Sequence, residues 1–381
     1  MEENPFKYGG VVRGPYFADR EEELRELESE MVSRGRIFLV SPRRYGKTCL
    51  LFNLIDHLNS QEIATVYFDL NAYPEMTGFA GALTTETSRT LESNIEKLNK
   101  LLSSLQRLRP RVTVDSDGTM SMGVEVASGE GDPLQALLEG LNHAEELARK
   151  KKRLLVIIID EFSDLLKYNG ETVEKALRSA IQQHEHIGYV FSGSEQSLML
   201  SMVQERRRPF YKLGRLMELG PIPRDLYSTF IAGWLKKGGY KYPEGGIERI
   251  LHLGHEVPYN VQRLCHTMWE LAGKSQVVTP EIIEGLPAHI VRQDSPIYEM
   301  LWQTATQPQK VLLIALTEDP DMSLLSKEFM FKHRIGPPSS IKASLQSLVK
   351  KGILYRDIKG KYQFTDSFMP FWIDYIRMKH G

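Results

Sequence analysis

Four short, continuous apolar runs punctuate the first half of the chain, at 36–40, 64–70, 153–159 and 188–192, and stretches with apolar residues at helical spacing separate them. Unbroken apolar runs of this length are the signature of strands covered on both faces. Their alternation with helices predicts an α/β fold, a mostly parallel sheet with helices on both faces. One long stretch departs from the rhythm. Leu91, Ile95, Leu98, Leu102 and Leu105 recur at helical spacing, after which VTVDSDGTMSMGVEV alternates about Asp117-Gly118 in the manner of a β-hairpin. Residues 79–132 are therefore expected to form a long helix and a hairpin inserted into the first domain, the hairpin being either a solvated elaboration or a contact for DNA or a neighbouring subunit.

From about residue 224 the strand-like runs give way to helical patterns at Asp225–Leu235, Gly246–Leu253, Tyr259–Leu271 and Pro280–Val291, which predict a small all-helical domain. A third unit begins near 297, with helical patterns at 308–317, 323–333 and 339–351. After them come Gly352–Arg356, a turn at Lys359-Gly360-Lys361, and Tyr362-Gln363-Phe364. Three helices followed by a hairpin predict a winged helix. The expected division is 1–223, 224–296 and 297–381, and Phe368, Phe371, Trp372 and Tyr375 are expected to pack in the last core.

At 381 residues the chain is long enough for two or three cores, and a net charge of −1 gives it no global affinity for nucleic acid or membrane. Cys49 and Cys265 cannot form a disulfide framework and suit a reducing compartment; Cys49 is expected to be buried. MEENPFKYGG has neither a basic leader nor an apolar core, and the longest apolar run, Leu154–Ile159, falls far short of the ~20 residues a spanning helix needs. A soluble, cytoplasmic protein without a membrane partner is expected.

Against this neutral background the segment SPRRYGKT at 41–48 carries specific chemistry. A buried strand, this loop and then a helix together make a phosphate cradle. Backbone N–H groups and the helix N-terminus surround a polyphosphate, Lys47 reaches the β and γ phosphates, and the Thr48 hydroxyl ligates Mg²⁺. The expected binding set is Ser41, Pro42, Arg43, Arg44, Tyr45, Gly46, Lys47, Thr48 and Cys49, with ATP or ADP and Mg²⁺ as ligands; Ser41 stands where the pattern has a first glycine. The run Leu155–Ile159 ends in Asp160-Glu161, an acid to hold the metal through its water shell and a base to polarise the attacking water, or else a helix cap. The next strand ends in Phe191-Ser192-Gly193-Ser194-Glu195. Ser194 is the candidate γ-phosphate sensor with Ser192 close behind, and a capping serine is the alternative.

FADREEEL at 17–24, the loop at 41–48, the Asp160-Glu161 strand, GSEQSL at 193–198 and FYKLGR at 210–215 together resemble the archaeal-type ATPase family. That family belongs to the AAA+/STAND branch of P-loop NTPases and is related to the origin-recognition initiator ATPases; the resemblance spans essentially the whole chain. It implies that Phe17, Arg20 and Glu21 lie near an adenine, or else form an ordinary helix start. It makes Arg215 an arginine finger in a neighbour's site or a structural arginine of its own subunit. Arg206-Arg207-Arg208 is a solvated run, a partner contact or the finger itself. In the stretch Gly254–Asn260 no arginine precedes Arg263, and Pro258-Tyr259 resembles the STAND arrangement, in which a lid proline lies against the nucleotide and switching dominates over fast turnover. His255 is a phosphate sensor or a structural histidine.

Between Ser323 and Lys361 nine Lys/Arg face two acids, a local charge of +7 (nine minus two). Lys342 near the start of the 339–351 helix, with Lys359 and Lys361 at the wing tip, is placed to meet duplex DNA, although winged helices also bind proteins. The expected function is an ATP-binding and ATP-hydrolysing switch that partners DNA, another protein or a second copy of itself. The alternative is a DNA-binding initiator or transposition-type regulator in which ATP licenses assembly.

Overall fold

The computed structural model describes residues 3–92, 132–357 and 360–380, together with the backbone of strands at 108–114 and 120–126. By their contacts these residues form two compact units, one of residues 20–42 and 46–220, the other of residues 1–19, 43–45 and 221–381.

In the first unit five parallel strands, β1 (Arg36–Val40), β2 (Ala64–Asp69), β5 (Leu155–Asp160), β6 (Ile187–Gly193) and β7 (Arg215–Glu218), run in the order β2-β5-β6-β1-β7. Every residue of β5 and β6 is buried, as their unbroken apolar runs require for central strands. β2 lies at one edge and alternates: Ala64, Val66 and Phe68 are buried, while Thr65, Tyr67 and Asp69 share the other face. The register sets Val40 beside Gly193, Ile159 beside Phe191 and Asp69 beside Asp160, so the strands' chemistry-bearing ends share one edge of the sheet. β7 was not foreseen, because a four-residue edge strand with only Met217 buried makes no apolar run.

Helices cover both faces. Met76–Leu91 lies against Pro133–Lys151 where Gly140 meets Thr84; a Cβ at Gly140 would come within 2.2 Å of Thr84 Oγ1, so this close approach needs glycine. Residues 79–91 thus belong to a buried core helix, with Phe79, Leu83 and Leu91 all inside. Ile95, Leu98, Leu102, Leu105 and Asp117-Gly118 lie outside the described residues. β3 (Leu108–Val114) and β4 (Met120–Val126) pair antiparallel with Val114 opposite Met120, the hairpin that the alternation predicts.

The second unit contains helices Arg224–Lys237, Gly246–Leu253, Pro258–Ala272 and Pro280–Gln293, each at its expected place. Ser295–Thr304, Gln307–Glu318, Lys327–Lys332 and Pro338–Lys350 follow, then β8 (Leu354–Arg356) paired antiparallel with β9 (Tyr362–Phe364), and a final helix Met369–His380. One continuous core runs through all of it, including Tyr227, Met268, Tyr298, Phe329, Phe368 and Trp372. Phe6 joins that core from the amino-terminal segment, edge-on to Trp269 at 6.0 Å. Cys265 is fully buried, and burial pushes its thiol pKa up; Cys49, expected inside, is only half-buried.

Candidate active site

The loop after β1 turns on two left-handed residues, Arg44 at φ +73° and Gly46 at φ +86°. Ser41 has an ordinary backbone: its N–H donates to Gly193 O at 3.3 Å and its hydroxyl to Pro42 O at 3.0 Å, so the conformational freedom of a glycine is not used there. Gly46 caps helix Lys47–Ser60, whose first N–H groups have no partner within the helix and suit an anion. Arg43–Tyr45 pack within the second unit. There Arg44 pairs with Asp366 at 3.1 Å, its guanidinium lies 5.0 Å from the Tyr259 ring centroid, and its carbonyl accepts from Tyr259 N–H at 3.2 Å.

Lys47, only 7% exposed, reaches Asp160 Oδ1 at 2.5 Å and Glu161 Oε1 at 2.9 Å. Asp160 Oδ1 also accepts from Ser192 Oγ at 2.6 Å and from Glu161 N–H at 2.9 Å; Thr48 Oγ1 stands 3.4 Å from Asp160 Oδ2. Burial pushes the Asp160 pKa up, but Lys47 and Ser192 more than offset it and hold the carboxyl below its usual range. Glu161 takes the left-handed region at φ +50°, an uncommon conformation for a residue with a side chain. Its Oε2 accepts from Ser194 N–H at 3.2 Å and Ser194 Oγ at 2.9 Å. β5 and β6 therefore bring Asp160, Glu161, Ser192 and Ser194 around the lysine of the β1 loop. Neither acid caps a helix through its side chain, and Ser194 Oγ is engaged by Glu161 rather than by the helix Gln196–Gln204.

The donor set fits Mg²⁺ delivered with a polyphosphate. One hydroxyl and one carboxylate oxygen lie side by side, and among the described residues no group of three His, Cys, Asp or Glu could hold an ion alone.

Arg215 opens β7 opposite Ile37, at the end of the parallel sheet away from the loop, and its half-exposed side chain pairs with Glu26 at 2.8 Å. Arg20 is buried and donates to Gly220 O at 2.6 Å and Glu23 Oε1 at 2.6 Å; Phe17 is half-buried beside the short 3-10 helix Gly14–Tyr16 in the other unit. Pro258 opens its helix, and its carbonyl accepts from Tyr227 OH at 3.0 Å. Arg263 is committed to Asp294 at 2.6 Å, and burial lowers the His255 pKa.

The family described as "ATPase domain predominantly from Archaea" matches residues 17–219, more than half of the chain. This chain belongs to that ATPase family. A second match, "Probable winged helix domain", covers residues 296–375. Among solved structures, a Walker-type ATPase of Pyrococcus abyssi aligns at TM-score 0.63 and 17% identity, over 97% of this chain and 99% of that one. The ORC2 protein of Aeropyrum pernix, in a structure of its ADPNP-ADP complexes, aligns at TM-score 0.55 and 11% identity, over 99% and 98%. Its ADP form gives 0.51 and 10%, over 98% and 97%. At these identities the likeness is one of fold. None of the curated proteins matches the sequence. The chain thus carries a P-loop-type ATPase domain followed by a winged helix, and among the described residues no helix is long and apolar enough to cross a membrane.

Within the ATPase domain the sequence reading missed Tyr67, whose hydroxyl donates to Asp160 Oδ2 at 3.0 Å. The available signal was the alternation of β2, which turns Tyr67 away from the Val66/Phe68 face. It also missed the pair formed by Arg208 and the fully buried Glu174, at 2.5 Å, which removes Arg208 from the solvated run or finger proposed for Arg206-Arg207-Arg208; Arg206 and Arg207 are exposed. Burial pushes the Glu174 pKa above the usual carboxylate range despite Arg208. Arg208→Ala is expected to cost about 3 kcal/mol by stranding that carboxylate. A carboxyl with a raised folded pKa opposes folding once pH exceeds its unfolded value, so the deficit should shrink as pH falls through the folded pKa. Urea unfolding at neutral and mildly acidic pH checks both size and sign.

Proposed function

We propose that this chain binds ATP with Mg²⁺ at the 41–48 loop and hydrolyses it slowly, as a nucleotide-driven switch of the AAA+/STAND kind. The observation that carries the reading is the convergence of Lys47, Asp160, Glu161 and Ser194 at the sheet edge from which the phosphate-loop helix starts. Lys47 would hold the β and γ phosphates, and Thr48 with Asp160 would hold the metal. Bound Mg²⁺ would offset phosphate charge. Glu161 would orient water toward the γ phosphate, and Ser194 would hold Glu161 in place while sensing that phosphate. Slow turnover with a switch fits residues 1–223 as the ATPase domain, 224–296 as a lid and 297–381 as the winged helix. The contacts of Arg44 with Tyr259 and Asp366 support it: phosphate binding that reshapes the loop would be felt in both. Calorimetry with ATP and ADP, with and without Mg²⁺, paired with a phosphate-release assay, tests the reading; no heat with either nucleotide would end it.

A second reading, duplex DNA as the partner of the winged helix, rests on the exposed Lys327, Arg334, Lys342 and Lys350. Part of the local charge is already spent. Lys332 pairs with Asp319 and Lys361 with Asp321, and Lys351 is bonded to Gln309; Lys359 lies outside the described residues. Binding measured by fluorescence anisotropy should weaken steeply with salt, and Lys342→Ala with Lys350→Ala should flatten the log–log salt slope by about two, roughly one per lost phosphate contact. No binding at low salt, with or without ATP, would point instead to a protein partner or a second copy, with Arg206, Arg207 and Arg215 exposed for such a contact.

A further inference from the structure

An aspartate at a strand end has a soft terminal torsion: rotation about Cβ–Cγ exchanges its two oxygens and turns the carboxylate plane. In Asp160 three donors converge on Oδ1, from Lys47, Ser192 and the Glu161 backbone. Because both oxygens turn together about Cβ–Cγ, the donors on Oδ1 restrain Oδ2 as well, but one of them, Lys47, is the group that the phosphates would claim, so a second restraint acting on Oδ2 gains weight when it leaves. Oδ2 is approached by Thr48 Oγ1 at 3.4 Å, a long contact from a hydroxyl that the metal would also claim, and by Tyr67 OH at 3.0 Å. Tyr67 is held for this purpose from two sides. β2 pairs with β5 in a register that sets Tyr67 beside Ile158 and Asp69 beside Asp160, and the Tyr67 ring rests on Phe52 of the phosphate-loop helix with centroids 4.8 Å apart.

We propose that Tyr67 is a positioning residue for the metal site: its hydroxyl fixes the plane of the Asp160 carboxylate so that Oδ2 faces Thr48. The inference rests on the reading of the site as an ATP–Mg²⁺ site. A tyrosine that merely packed against Phe52 and found a convenient acceptor would have no effect on the metal, and the two roles are separable because Tyr67→Phe removes the hydroxyl and keeps the ring.

The test titrates Mg²⁺ into the full-length chain with a fluorescent ATP analogue. In wild type the metal should tighten nucleotide binding. In Tyr67→Phe the Mg²⁺ concentration for half-maximal tightening should rise about tenfold, the lower end of what outer partners of metal ligands contribute, while affinity for the analogue in EDTA stays unchanged. In an Asp160→Asn background, adding Tyr67→Phe should change nothing further. Equal half-points in wild type and Tyr67→Phe would overturn the proposal and leave the site reading standing. So would a loss of affinity in EDTA as large as the shift with metal, which would assign Tyr67 to the loop's packing. A wild-type chain that binds no analogue at all, or binds it identically without Mg²⁺, would remove the site reading itself.

Discussion

Lys47→Ala should lose nucleotide affinity by about a hundredfold or more, the scale on which removing one partner of a desolvated charge pair is felt, and it should also lose stability at neutral pH. Loss of binding alone follows from any phosphate-loop lysine. The second effect is particular to this geometry, in which Lys47 is the cation for two carboxylates, one of them buried. Four donors to Asp160 remain, from Ser192, Tyr67, Thr48 and the Glu161 backbone, so the expected cost is about 2–3 kcal/mol, at or below the low end for a broken buried pair. The pH dependence has a definite sign. In the parent the folded pKa of Asp160 is depressed, so its contribution is present above the unfolded value and is lost as pH falls through the folded one. Without Lys47 burial dominates, the folded pKa rises, and the charged carboxyl opposes folding at neutral pH. The variant's deficit should therefore narrow on acidification from about pH 7.5 to about pH 5 in urea titrations. Lys47→Ala combined with Asp160→Asn should recover stability without recovering binding. A Lys47→Ala protein as stable as the parent at both pH values would contradict the buried pair.

Much of this arrangement was legible because its chemistry sits in two contiguous strings. Residues 41–48 and 160–161 each follow an unbroken apolar run, and a run buried on both faces announces both its strand and the end of it. Pairing between distant positions left no such trace. Tyr67 meets Asp160 across 93 positions, and Arg208 meets Glu174 across 34, and nothing local to either residue marks its partner. β7 was silent because an edge strand needs only one buried side chain, and Phe6 was silent because a single aromatic near a terminus carries no period. The closing helix is a different case. Phe368, Phe371, Trp372 and Tyr375 stand three, one and three positions apart, the spacing of one face of a helix, and Phe368 and Trp372 are buried in Met369–His380 or at its threshold.

Glu161→Gln should bind ATP at least as well as the parent and hydrolyse it about 10²- to 10⁴-fold more slowly, the usual contribution of a positioned general base. Affinity should hold, or improve, because of what an amide can accept. The carboxylate takes Lys47 on one oxygen and both Ser194 donors on the other, whereas glutamine has a single acceptor oxygen. If that oxygen stays with Ser194, the amide nitrogen faces Lys47, and the lysine is freed from one of its two carboxylates for the phosphates. If it turns to Lys47, Ser194 loses its partner and the side chain loses its orientation. In either orientation the group that should take a proton from water is no longer basic. Ser194→Ala separates orientation from basicity: it keeps the base but removes one of the two bonds that hold Oε2, and its turnover should fall by only about tenfold. Single-turnover phosphate release, with binding measured in parallel, distinguishes these outcomes. Turnover in Glu161→Gln within about threefold of the parent would show that water is activated elsewhere, and the left-handed backbone at Glu161 would then have to be explained by its bonds to Lys47 and Ser194 alone.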